Sequence, residues 1–150
     1  MKKLLTVSIL LAALASAGAS AKTLVNQEDG GLALQGYDAV AFFADGKPVP
    51  GDPSITATLD GATYRFATSA HRAAFEKEPA KYAPAFGGYC AMGVAYDGLF
   101  PVRIETWQIL NGRLVLNKSL EVKAAFDKDP QGNLRKADGN WPGLVEKQGM

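Results

Sequence analysis

The chain has 150 residues, with 16 Lys and Arg against 15 Asp and Glu, 47% hydrophobic residues and one cysteine. A phosphate-binding surface needs a basic excess that this balance does not provide, so no nucleic-acid partner is expected. One cysteine leaves no intramolecular disulfide, and the core has to hold the fold without staples.

At the N-terminus, Lys2 and Lys3 precede an apolar run over residues 4–14, and Ala19, Ser20 and Ala21 fit a small-residue cleavage site. This pattern is that of a secretory signal peptide. The expectation is a leader over residues 1–21, export to the periplasm and a mature domain over residues 22–150. No cysteine follows the run to carry a lipid anchor, and no later segment approaches the roughly 20 apolar residues that span a bilayer. Removing 21 of 150 residues takes away two lysines and no acid, which leaves 129 residues with 14 basic and 15 acidic groups and a net charge of −1. That length suits one domain with its own core.

Two stretches of the mature chain resemble each other. DGATYRFATSAHRAAFEKEP, residues 60–79, lies over NGRLVLNKSLEVKAAFDKDP, residues 111–130, at a displacement of 51. Upstream, GYDAVAFFADG from Gly36 lies over GYCAMGVAYDG from Gly88 at a displacement of 52. An internal repeat over about 36–79 and 88–130 accounts for both. In the first copy, ITATL and ATYRFA read as strands joined by Asp60-Gly61; in the second, WQIL and RLVLN are joined by Asn111-Gly112. Such dipeptides accept the positive φ of a tight hairpin turn. Thr68 and Ser119 then stand as helix N-caps. Short helices are expected over 69–78 and 120–129, stopped by Pro79 and Pro130. Asp45-Gly46 and Asp97-Gly98 read as further turns. The tail after Pro130 holds too many breakers for a long helix, and Trp141 is expected to pack it onto the domain. The fold class is α+β, a small single domain of two similar β-hairpin plus short-helix modules packed around a shared core.

Val122, Ala125 and Phe126 form an apolar helix stripe, and His71, Ala74 and Phe75 hold the matching places. His71, the only histidine, therefore stands where the sister copy has a core-side valine. Cys90 and Met92 supply soft sulfur, and with His71 they make a candidate metal-ligand set of thiolate, thioether and imidazole. That set favours copper as Cu(I), with zinc behind it. In an extended segment Cys-x-Met puts both side chains on one face. Against this, methionine is a common core filler and free cysteine a common buried hydrophobe. Cys90 matches Asp38 across the repeat, and Tyr89 matches Tyr37. This suggests one central pocket of Asp38, Cys90 and His71, edged by Tyr37 and Tyr89. No phosphate loop, H-E-x-x-H motif or nucleophile elbow occurs.

The segments GYDAVAFFADGKPVPGD, ATYRFATSAHRAAFEKEPAKYAPAFGGYCAMGVA, WQILNGRLVLNKSLEVKAAFDKD and NWPGL resemble the bacterial exported YHS domain-containing proteins. The most specific parts are F-x-x-x-P-x-x-Y, here Phe75, Pro79 and Tyr82, and GGYCA. The resemblance implies a small α+β module with a metal-linked binding role rather than a defined reaction. Metal-binding relatives carry cysteine in the aromatic strand and at the start of the next helix, where this chain has Ala67 and, near the second place, His71. The resemblance therefore implies an open, low-coordinate site rather than a closed four-ligand zinc site. Three readings stay open. The first is a periplasmic module binding a transition metal, copper foremost, near Cys90. The second is a module for a non-metal ligand or a protein partner with a structural, buried Cys90. The third is a thiol-dependent enzyme, for which the sequence offers no catalytic signature.

Overall fold

The computed structural model describes residues 20–150, so the expected leader, but for its last two residues, lies outside the described residues. The described part is an α+β domain with two sheets and six helices. In chain order it runs β1 (Gln27–Glu28), β2 (Leu32–Ala33), a tight turn at Leu34–Gly36, α1 (Ala41–Ala44), β3 (Asp52–Leu59), β4 (Ala62–Phe66), α2 (Ser69–Lys77) and α3 (Pro79–Tyr82). A second tight turn at Ala85–Gly88 leads to α4 (Ala91–Ala95), β5 (Arg103–Leu110), β6 (Arg113–Asn117), α5 (Leu120–Phe126) and α6 (Pro130–Gln148). The first sheet has the order β1-β2-β4-β3, with β2 parallel to β4 and the other pairs antiparallel; β5 and β6 form the second.

Each hairpin forms for local reasons. Asp60 and Asn111 both sit at φ 52° and are followed by glycines at 77° and 73°. These are the left-handed turn positions that Asn, Asp and Gly tolerate. The pairing of β3 with β4 shifts register between Asp52 and Thr56, and that of β5 with β6 shifts between Arg103 and Gln108, 51 and 52 residues on. The caps also correspond: Thr68 Oγ1 accepts from the backbone N–H of His71, and Ser119 Oγ from that of Val122, both at 3.1 Å. Along β4, Ala62, Tyr64 and Phe66 alternate inward and are buried, as the pleat requires.

The core lies between two units, residues 36–79 and residues 88–130. Tyr64, Phe66 and Phe75 of the first pack in one cluster with Ile104, Leu114 and Leu116 of the second. Phe42 and Trp107 meet across the boundary at 5.4 Å. A second cluster joins Phe86, Val94, Val115 and Phe126 to Leu134, Ala137 and Leu144 of α6.

Burial pushes the Tyr64 phenol well above its ordinary value of 10, with the nearby Asp60 carboxylate adding to the rise. A pKa raised by folding contributes stability that is complete below the unfolded value and is lost as pH rises past it. Stability is therefore expected to fall as pH climbs above about 10. Tyr64→Phe should shift that alkaline transition upward, as measured by circular dichroism against pH; an unmoved midpoint would assign the transition to other groups.

The structure corrects several expectations. The tail is one helix of 19 residues, α6, despite Gly132, Gly139, Pro142 and Gly143. Pro130 begins it, since proline suits the first helical position, where no N–H is needed. Asp129 caps it by accepting from Gly132 N–H at 3.0 Å. Gly139, Pro142 and Gly143 all fall on the exposed side, while Leu134, Ala137 and Leu144 are buried. Asn140 Nδ2 also donates to the carbonyls of Val94 and Ala95 at the end of α4. Tertiary packing thus outweighs the low propensity of the breakers. α2 and α5 end at Lys77 and Phe126, earlier than expected, and Pro79 starts α3 as well as closing α2. Val122, expected as a buried core residue, is only partly buried. The Cys90–Met92 segment is not extended: Cys90 is the N-cap of α4.

Candidate binding site

Asp38 is fully buried and satisfied by four donors. Its Oδ1 accepts from the backbone N–H groups of Val40 at 2.9 Å and Ala41 at 3.1 Å, and its Oδ2 from Ala67 N–H at 2.8 Å. Oδ2 also lies 2.7 Å from His71 Nδ1. A carboxylate accepts only, so Nδ1 carries the proton and donates. This tethers the start of α1 to the end of β4 and the start of α2. It also fixes the His71 ring, whose side chain is 18% exposed. Such a pair orients an imidazole for ligand or base chemistry through Nε2.

Cys90 is the residue that matches Asp38 at a displacement of 52. Its Sγ accepts from the backbone N–H of Gly93 at 3.4 Å and of Lys118 at 3.2 Å. Gly93 and Lys118 match Ala41 and Ala67 at displacements of 52 and 51. The third donor, Met92 N–H, the counterpart of Val40, goes instead to Asn117 Oδ1 at 3.1 Å. The thiol lies 3.6 Å from that oxygen, to which it donates. The work of one carboxylate is therefore divided here between a sulfur and an amide. Asn117 is fully buried, and its Nδ2 has no hydrogen-bond partner among the described residues.

Above Cys90 lies an open depression of about 260 Å³ lined by Cys90, Met92, Gly93, Tyr96, Phe100, Lys118 and Val122. Tyr96 and Phe100 are large apolar groups left 67% and 41% exposed. The Lys118 ammonium stands 4.9 Å over the Phe100 ring, a cation–π contact. Lys118 has no carboxylate partner within ion-pair distance among the described residues. The depression can hold an apolar group on its walls and a negative charge at its rim.

Of the residues singled out in the sequence, Asp38 and His71 are brought together, and Cys90 and Met92 share a cavity. The hydrogen bonds of Asp38 stay in the first unit and those of the Cys90 sulfur in the second. Tyr37 packs beside the core and pairs with Pro50. Tyr89 lines a different depression, with Thr23, Val25, Asp60 and Met150. Its phenol is raised above the ordinary value by partial burial. Among the described residues no three His, Cys, Asp or Glu side chains gather as a metal-binding group. Asn117, Lys118 and Phe100 escaped sequence reasoning. The one available signal was that Asn117 stands over Phe66 in the repeat alignment, a polar residue against a core aromatic.

Compared with models of protein families, with curated proteins and with solved structures, the chain matches none.

Proposed function

We propose that this chain is an exported, non-catalytic binding module of the YHS type, and that the depression over Cys90 takes a small organic anion with a flat apolar body. The observation that carries this reading is the Tyr96–Phe100–Lys118 rim. Two exposed aromatic rings and a cation without a carboxylate partner among the described residues surround apolar walls formed by Met92 and Val122. Binding sites of this kind combine mostly apolar walls with a few placed polar groups. Cys90 then serves as the floor, holding α4 to the end of β6 as Asp38 holds α1 to the end of β4. Export rests on the Lys2, Lys3 and Ala19-Ser20-Ala21 pattern, and the family assignment on the segments quoted above. Among the described residues no helix is long and apolar enough to cross a membrane.

Benzoate, followed by heteronuclear NMR on the purified protein, tests the reading. Shift changes are expected around residues 92–100 and 118–122, with affinity about tenfold weaker in Lys118→Glu. Changes that map elsewhere, or an affinity indifferent to Lys118, would sink it.

One observation favours a second reading: Cys90 and Met92, two soft sulfur ligands, line the same cavity. Together they fit Cu(I) in low coordination, whereas His71 does not line that cavity. Titrating Cu(I) under reducing conditions separates the readings. Stoichiometric binding lost in both Cys90→Ser and Met92→Leu would establish copper as the ligand.

A further inference from the structure

The two hairpins differ at their turn ends. In the second, Asn111 exchanges two hydrogen bonds with the Gln131 side chain, at 2.8 and 3.2 Å, and Val115 is a buried apolar residue of β6. The matching residues of the first, at a displacement of 51, are Asp60 and Tyr64. The Asp60 carboxylate has no cation within ion-pair distance among the described residues. Tyr64 is 1% exposed, and its hydroxyl makes no hydrogen bond to another described residue. Both residues line a depression of about 320 Å³ whose apolar walls include Leu59, Phe86, Trp141 and Val145. It lies where the core cluster holding Tyr64 and Leu59 meets the one holding Phe86 and Trp141. Burial keeps the phenol in its neutral form, and the charge of the nearby Asp60 carboxylate reinforces this. A neutral phenol accepts as well as donates, and a carboxylate accepts only.

We propose that this depression is a second binding site, for a small primary organic ammonium whose charged end is held by Asp60 and Tyr64 and whose apolar body lies against Phe86 and Trp141. Two cations of the protein stand near, and both are already paired. Lys22, which also lines the depression, is held by the Glu146 carboxylate at 2.9 Å and the Glu146 carbonyl at 2.8 Å. Arg113, over the Phe86 ring, makes two hydrogen bonds to the Asp138 carboxylate. Asp60 is therefore the lining charge left to be matched, and it calls for a cation. An ammonium brings that charge together with N–H donors for the carboxylate and the phenol oxygen. An anion would be repelled by Asp60, and a neutral apolar molecule would leave both polar groups unserved. Phe86 and Trp141 meet edge to face, with centroids 6.0 Å apart, and give the body of the ligand an aromatic corner. Mostly apolar walls with a few placed polar groups are the usual composition of a small-molecule site. The inference is independent of what binds over Cys90, because the two depressions share no lining residue.

The test is a heteronuclear NMR titration with 2-phenylethylammonium, beside 2-phenylethanol as its neutral counterpart. Saturable shift changes are expected around residues 59–64, 83–87 and 141–145. Asp60→Asn should weaken ammonium binding about tenfold, the loss of one charge-assisted contact, and leave the fold intact. Asparagine accepts the φ of 52° at this turn position, as Asn111 does in the other hairpin. Tyr64→Phe should weaken binding about threefold, the loss of one neutral hydrogen bond. The alcohol should bind about tenfold more weakly than the ammonium and be indifferent to Asp60→Asn. No saturable change, changes that map to other residues, an ammonium affinity unmoved by Asp60→Asn, or an alcohol that binds as tightly as the ammonium would each overturn the proposal.

Discussion

Asp38→Ala should lose about 3–5 kcal/mol of folding stability, among the largest effects of any single change in this chain. The substitution removes the acceptor for three backbone N–H groups and for His71 Nδ1, at a position with no solvent exposure. Water has no ready route to these donors, so each carries most of its desolvation cost. The loss also unties the start of α1 from the end of β4 and frees the His71 ring. Asp38→Asn should lose roughly half as much, since its oxygen still serves Val40 and Ala41 while its NH₂ opposes Ala67 N–H. Urea unfolding of both variants checks this. A loss below about 1 kcal/mol for Asp38→Ala would mean that the donors find other partners.

Gly87→Ala is expected to cost about 2–4 kcal/mol, from left-handed backbone strain and from a steric clash. Gly87 sits at φ +59°, and a Cβ there would lie 2.1 Å from the Leu24 carbonyl oxygen. That atom belongs to backbone, so relief requires moving the N-terminal strand-like segment. The same segment is held here by Asn26, whose N–H donates to Gly87 O at 2.9 Å and whose Nδ2 donates to Gly88 O at 3.2 Å. The counterpart in the first unit, Gln35, adopts φ 53° with its side chain exposed. It donates to the Val102 carbonyl, and Gln35→Ala should cost no more than that one bond, about 1 kcal/mol. Limited proteolysis should show residues 22–26 released in Gly87→Ala and protected in Gln35→Ala. Equal protection in both would remove the argument.

How far the sequence reached depends on how local each determinant was. Asp60-Gly61, Asn111-Gly112, Thr68 and Ser119 act within a few residues, and the hairpins and helix starts follow from them. His71 was readable as a polar intruder on an apolar stripe, and Asp38 as the counterpart of Cys90, which is how their neighbourhood could be anticipated. The strands β1 and β2 span two residues each, too short to show a period. Leu34 and Phe86 take positive φ values of 51° and 54°, which side chains of their size seldom adopt, so neither turn announces itself. α6 forms because its buried face meets α4 and β6, a long-range fact that its glycines and Pro142 conceal. The depression over Cys90 likewise depends on Phe100, Lys118 and Val122 arriving from separate elements. Asn117 ends an apolar strand, where a polar residue reads as an ordinary surface terminus.

Thr23 and Met150 exchange both backbone hydrogen bonds at 3.0 Å, and Lys22 reaches Glu146 at 2.9 Å. The domain's chain is thereby closed almost into a ring, whose clasp is the contact of greatest sequence separation. Closing so long a loop carries the largest entropy cost, so the clasp is expected to form after the hairpins and to open before them. Its two sides open together, and release of the segment at Thr23 also frays the end of α6. Residues 22–23 and the end of α6 therefore form one mechanical element, and a change made at either is felt at the other.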